Sequence, residues 1–235
     1  MRIAYVLYQG FTALDLVGPY EVMSHWPGTE VHFLATDLAP VRADMGLTVS
    51  PTDTPETLPD PDIVVVGGAS NPIPVMRDEA LLSWVRQVAG TATWMASVCT
   101  GAGVYAAAGL LEGRRTTTHF AFRQNLRAMG MEVVADRVVF DEPFVSGAGV
   151  SAGIDMALAL TARVHGEQVA KALQLGIEYD PQPPFDSGSP EKADAATRRT
   201  ALRLALGDYK GTAVQIASHA VTARARRLGS TFGRR

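Results

Sequence analysis

The stretch TWMASVCTGAGVYAAAGLL, residues 93–111, decides the fold. ATWMASV (92–98) is an apolar run of strand length that stops at Val98. Cys99, Thr100, Gly101, Ala102 and Gly103 follow, all small, and then an Ala- and Leu-rich helical pattern over 101–111. The order is strand, sharp turn, helix. Small residues let a chain turn tightly. A side chain at such a turn is held out above the sheet edge, as in a nucleophile elbow. Working outward, RIAYVLY (2–8) and DIVVVG (62–67) are further apolar runs, with 31–36 and 47–50 as additional strand candidates. Wholly apolar strands suit a parallel sheet covered on both faces. Helical patterns over 12–25, 78–89 and 101–111 alternate with them. That alternation predicts an α/β layer fold with a mostly parallel central sheet. MEVVAD and RVVFD, around 131–141, read as a hairpin, and PFVSGAG as another short strand. Helices over 151–164 and 166–178 follow, broken at Gly166.

The character changes at Asp180. Pro181, Pro183, Pro184 and Pro190 fall within DPQPPFDSGSPEKAD, which predicts extended surface chain, because proline fixes φ and removes a donor. A helix is expected over 194–206. The chain therefore divides into a body, 1–190, and a basic helical extension, 191–235. The extension holds ten of the 21 Lys/Arg residues and three of the 24 Asp/Glu, so an acidic body carries a basic tail. Such a tail suits nucleic acid or a membrane surface, or is a solvated, frayed end.

With 47% hydrophobic and 19% charged residues the composition is globular. One cysteine makes no internal disulfide. MRIAYVLYQG reads as a first strand rather than a leader. No apolar run reaches the roughly 18 residues of a membrane span. A cytoplasmic protein without membrane association is the expectation. The histidines lack metal-ligand spacing and a lone cysteine builds no thiolate site, so no metal is expected. GGASN is not a phosphate fingerprint, and no cofactor motif is present.

Cys99 is the residue on which function turns. A buried free cysteine often only packs. At a strand–helix turn it instead meets unpaired N–H groups and a helix dipole, conditions that lower a thiol pKa and favour the thiolate. Thr100 offers a hydroxyl and an N–H to a ligand, or caps the helix. Gly68, in VVVGGAS, can bring a bare N–H near the thiol as an anion hole. Asp15, in GFTALDLVGPYEV, follows the first strand and reaches the same sheet edge. Thr12-Ala-Leu-Asp15 also fits a capping-box variant, and spacing leaves both readings open. A carboxyl beside a thiol shares protons with it. His119, 20 residues after Cys99 in TTTHF, raises the option of Cys–His chemistry. SGAGVSAGIDMALAL (146–160) is a small-residue helix entry that suits close backbone approach or tight packing.

SVCTGAG with GLLEGRRTTTHF resembles the DJ-1/PfpI superfamily. FTALDLVGPYEV, SGAGVSAGIDMAL and LGIEYDPQPPFDSGSP narrow the likeness to its isocyanide hydratases, over roughly 10–190. The resemblance implies a flavodoxin-like three-layer sandwich with a cysteine nucleophile elbow. It implies an isonitrile hydratase, a hydro-lyase that adds water to an isocyanide to give an N-substituted formamide. Cys99 would form a thioimidate, Asp15 would be the general acid/base and Thr100 would assist, with no cofactor. Glu21 is the alternative carboxyl. Gly68, Ala69, Gly101, His119 and Ala148 would line the site of a small apolar substrate. A homodimer is implied, and nucleic acid is not. Two departures stand out. Ala69–Pro74 replaces a further glycine-rich turn, and Ala148 stands where a third glycine is frequent. The alternative is a regulator or redox sensor related to AraC-type regulators, whose two helix-turn-helix units would not fit after Pro190.

Overall fold

The computed structural model describes residues 1–206. Six short strands form its central sheet. β1 (Arg2–Val6) leads into α1 (Ala13–Met23) and β2 (Glu30–Leu34). A two-stranded ribbon follows, β3 (Val41–Arg42) with β4 (Thr48–Val49). Then come β5 (Ile63–Val66), a 3-10 turn at Val75–Arg77 and α2 (Glu79–Val88). β6 (Trp94–Val98) runs into a 3-10 turn, Cys99–Gly101, and α3 (Ala102–Ala107). β7 (Arg115–Thr116), α4 (Arg123–Ala128), β8 (Glu132–Val133), β9 (Val138–Asp141) and β10 (Phe144–Gly147) complete the β elements. α5 (Ala152–His165), α6 (Glu167–Gly176) and α7 (Ala195–Leu206) close the described chain.

The main sheet has the order β2-β1-β5-β6-β10-β9, parallel except for the antiparallel edge strand β9. IVVV of β5 and WMASV of β6 are buried at every position. Residues of this kind, flat against neighbours on both faces, explain why these runs are strands and not helices. α1 packs on α5, α5 on α6, and α2 on α3. α2 starts where Asp78 accepts the Leu81 N–H at 3.1 Å, a side-chain cap, and it buries Leu81, Leu82, Trp84, Val85 and Val88. Gly166 breaks α5 from α6 with φ +90. The result is the α/β layer fold expected from the alternation, in the flavodoxin-like form that the resemblance implies.

Two expectations need correction. The 131–141 segment is not a hairpin. β9 pairs with β10 instead, Val139 facing Ser146, while β8 pairs in parallel with β7 away from the main sheet. The helix expected over 101–111 is shorter, ending at Ala107, two residues before Gly109 at φ +80. The strand candidate at 47–50 is present as β4, paired with β3 in the ribbon. The Pro-rich segment from Asp180 is exposed and has no helix or strand, as expected. The basic tail from residue 207 onward lies outside the described residues.

Register sets up the site. Val66 lies opposite Ser97, and Val98 opposite Gly147. The strands β5, β6 and β10 thus end side by side. Gly67–Gly68, Cys99 and Ala148 leave the sheet together at its carboxyl edge. β1 lies between β2 and β5, and the chain reverses its order there. Open α/β sheets bind ligands at such a switch point.

Candidate active site

Cys99 has φ +58, one of two non-glycine residues with positive φ among the described residues. For an L-residue this conformation costs about 1–2 kcal/mol. The surroundings hold it there. The Cys99 carbonyl accepts the Thr118 hydroxyl at 2.6 Å and the His119 N–H at 3.2 Å. Thr118 is fully buried. The Thr117 N–H donates to Ser146 Oγ on β10 at 3.0 Å, which ties TTTHF to the next strand. On the other side the turn presses against the end of β5. A Cβ on Gly101 would stand 2.1 Å from the Val66 carbonyl oxygen, and one on Gly68 would stand 2.4 Å from the Thr100 nitrogen. Both contacts are with main chain, so only glycine fits. Gly101→Ala is expected to cost about 3 kcal/mol or more. Urea unfolding measures it, and a loss under 1 kcal/mol would show that the two backbones are not locked together.

Asp15 comes to the elbow from the first turn of α1. It is fully buried, and its Oδ2 accepts the Gly68 N–H at 2.7 Å. Its Oδ1 is buried without an aligned hydrogen-bond partner. The carboxyl is close enough to the Cys99 thiol for each to alter the other's protonation. Burial raises the Asp15 pKa to about 7. The Gly68 N–H and the thiol oppose the rise, and the charge of Asp44 adds to it. Cys99 is held well above an ordinary thiol, first by burial and then by the charge of Asp15. The Thr100 N–H is the group that favours the thiolate. The sequence-based expectation of a lowered thiol pKa is therefore reversed. α3 has six residues, and its amide and dipole do not outweigh burial and a neighbouring carboxylate.

The other expected residues divide. Thr100 follows Cys99, but its hydroxyl accepts from the Ala69 N–H at 2.8 Å and donates to the Ala69 carbonyl at 3.0 Å. It caps no helix and pins the β5 loop to the elbow. Gly68 sits against the elbow, yet its N–H is given to Asp15 rather than left free as an anion hole, a second correction. The capping-box reading of Thr12–Asp15 also fails. Thr12 precedes α1 without a side-chain cap, and its hydroxyl donates to Asp44 at 2.9 Å. Ala69 and Ala148 are buried, Ala148 directly after the residue that pairs with Val98. His119 meets Cys99 through its backbone. Its ring packs on Phe120 at 4.6 Å, and burial and the charge of Arg123 push its pKa down, disfavouring the charged imidazolium. Glu21 is exposed farther along α1. Of the departing loop, Ala69 faces Thr100 and Ser70 faces Asp44, while Pro74 lines a separate cavity of about 200 Å³ with Leu7, Tyr8 and Val41.

Sequence reasoning missed Thr118 and Asp44. The run of three threonines before His119 was the available sign for the first: buried β-branched hydroxyls need internal partners. Nothing local marks Asp44. No group of three or more His, Cys, Asp or Glu among the described residues is placed to hold a metal, and no helix among them is long and apolar enough to cross a membrane.

A sequence profile of the DJ-1/PfpI family matches residues 1–163. The chain is 43% identical over 210 residues to isonitrile hydratase of Pseudomonas putida, covering 89% of this chain and 92% of that protein. It is 30% identical to the HTH-type transcriptional regulator CdhR of Pseudomonas aeruginosa, over 71% of this chain but 51% of the regulator. The crystal structure of a ThiJ/PfpI family protein from Pseudomonas syringae superposes with a TM-score of 0.86 at 33% identity, covering 92% of this chain and 90% of that one.

Proposed function

The chain belongs to the DJ-1/PfpI family, and on that premise we propose that it is an isonitrile hydratase, adding water to a small isocyanide to release an N-substituted formamide. The observation that carries this reading is the buried Asp15 carboxyl beside the strained Cys99 thiol. The P. putida hydratase supplies the reaction.

The pair works as one proton store. With one proton shared, it is either thiol and carboxylate or thiolate and carboxylic acid, and the second form reacts. The Cys99 thiolate attacks the terminal carbon of R–N≡C, forming the C–S bond. Asp15 delivers its proton to that carbon, giving the thioimidate R–N=CH–S–Cys99. The Asp15 carboxylate then takes a proton from water as the oxygen adds to the same carbon, and passes that proton to nitrogen. The tetrahedral R–NH–CH(OH)–S–Cys99 expels the thiolate as its hydroxyl proton returns to Asp15. The product is R–NH–CHO, and the pair regains its starting form. One carboxyl thus serves as acid and base around a covalent intermediate. Thr100 holds the β5 loop and the elbow together, and Gly68 orients the carboxyl. A small, mostly apolar ligand suits a site walled by Ala69, Ala148 and the ring of His119. A homodimer in the cytoplasm is part of this reading.

The test is incubation with an aryl isocyanide, following formamide by absorbance and mass. Below about pH 7 both members of the pair hold a proton, and no nucleophile remains. The rate is therefore expected to rise as pH climbs through about 7 and to level off above it. No formamide at any pH, or a rate that falls through pH 7, would refute the proposal. A second reading, a ligand-sensing regulator, draws on the likeness to CdhR. A salt-dependent DNA mobility shift by the full chain, lost on deleting 207–235, would favour it.

A further inference from the structure

Asp44 is used by neither step above, yet it is tied to both segments that hold Asp15. It lies exposed in the turn between β3 and β4. Its main-chain N–H donates to the Phe11 carbonyl at 2.9 Å. Its Oδ2 accepts the Thr12 hydroxyl at 2.9 Å and the Ser70 hydroxyl at 3.2 Å, and its Oδ1 accepts the Met45 N–H at 2.8 Å. Thr12 is three residues before Asp15. Ser70 is two residues after Gly68, whose N–H fixes the Asp15 carboxyl. The two segments also touch directly. The Thr12 N–H reaches the Gly68 carbonyl at 2.8 Å, and Phe11 bridges Ala69. We infer that Asp44 is a positioning residue of the Cys99–Asp15 site, a clasp across these two segments whose fixed negative charge keeps protons on the pair.

The donors around Asp44 are neutral, two hydroxyls and an amide, so its charge is not cancelled at the contact. That charge opposes proton loss from Asp15 and from Cys99 alike. Among the described residues, the other groups facing the pair bring no competing charge. α1 contributes Asp15 itself. The 67–70 segment is Gly-Gly-Ala-Ser. The TTTHF segment contributes His119, whose pKa burial and the charge of Arg123 push down. The 147–149 turn is Gly-Ala-Gly. Arg42, at the end of β3, lies against Gly46. Asp44 therefore favours the neutral acid on Asp15 that the proton-transfer step uses, at the expense of a slower-forming thiolate. The inference deepens the hydratase reading, but it rests on the pair and not on the identity of the substrate.

The experiment uses the single cysteine as its own reporter. The full-length wild type, Asp44→Asn and Asp44→Ala are alkylated with iodoacetamide between pH 5 and pH 10 at low salt, and the rate at Cys99 is read by intact mass. Asn keeps an acceptor for Thr12 and Ser70 and removes the charge. Its profile is expected to move to lower pH, with alkylation about two- to fivefold faster at pH 7. In the wild type, 1 M salt should move the profile the same way, because an exposed charge is screened. This arm holds even if Asp44→Ala fails to fold. An Asp44→Asn profile that overlays the wild type at low salt would overturn the inference. No isocyanide is involved, so the result stands apart from the fate of the hydratase reading.

Discussion

Cys99→Ala is expected to lower formamide production by on the order of 10^4-fold or more, because it removes the atom that bonds to the substrate carbon. The fold should survive. Alanine keeps the Cβ and the backbone contacts that hold the elbow, namely the Thr118 hydroxyl and His119 N–H on the residue 99 carbonyl. The missing sulfur leaves a small void worth about 1 kcal/mol. The φ of +58 is retained, so the strain stays in the variant. Cys99→Gly should then be more stable than Cys99→Ala, by about 1 kcal/mol, since glycine adopts positive φ freely. Formamide release is followed by absorbance and stability by urea unfolding. An alanine variant with full turnover would leave the thiol without a role. A glycine variant less stable than alanine would mean that the elbow is not strained.

Asp15→Asn should change activity and stability in opposite directions. An amide cannot supply or take the proton, so turnover falls by about 10^2- to 10^4-fold. The same change removes a cost to the fold. The Asp15 pKa is raised from 3.8 to about 7 on folding. The folded state therefore binds the proton more tightly than the unfolded chain. Stability from this group is full below about pH 4 and is lost as pH rises through about 7, by roughly 4 kcal/mol in all. Asparagine never ionises and escapes that loss, less the cost of an unpaired amide N–H. At pH 8 the variant should be about 2–3 kcal/mol more stable than the wild type, and the gap should close as pH falls toward 4. Thermal unfolding across that range measures it. A variant less stable than the wild type at pH 8, with the gap closing in acid, would mean that the fold favours Asp15 as an ionised carboxylate.

What the sequence made legible was local. An apolar run ending in Cys-Thr-Gly-Ala-Gly can hardly be anything but a strand turning into a helix, and that unit placed the thiol at the sheet edge. Asp15 was less legible. Its spacing from Thr12 also suits a cap, and the structure settles the Thr12 hydroxyl on Asp44, a contact across 32 residues that no local pattern encodes. Pairing of late strands was misread for a related reason. MEVV and RVVFD are both strand-like, but which partner each takes depends on the sheet edge available, and β10 offers that edge to β9. The direction of the thiol pKa was misread because burial, not the helix terminus, dominates it, and burial is a property of the assembled layers. Thr118 acts on Cys99 from 19 residues away through a main-chain carbonyl, which carries no side-chain signature.

The account rests on a covalent bond between Cys99 and the substrate carbon. It is tested most directly by intact-protein mass spectrometry of enzyme quenched in acid during turnover of an aryl isocyanide. The prediction is a wild-type species heavier by the mass of one isocyanide, located on Cys99 by peptide mapping and absent from Cys99→Ala. Steady formamide release with no such species at any quench time, and with Cys99→Ala still turning over, would contradict it.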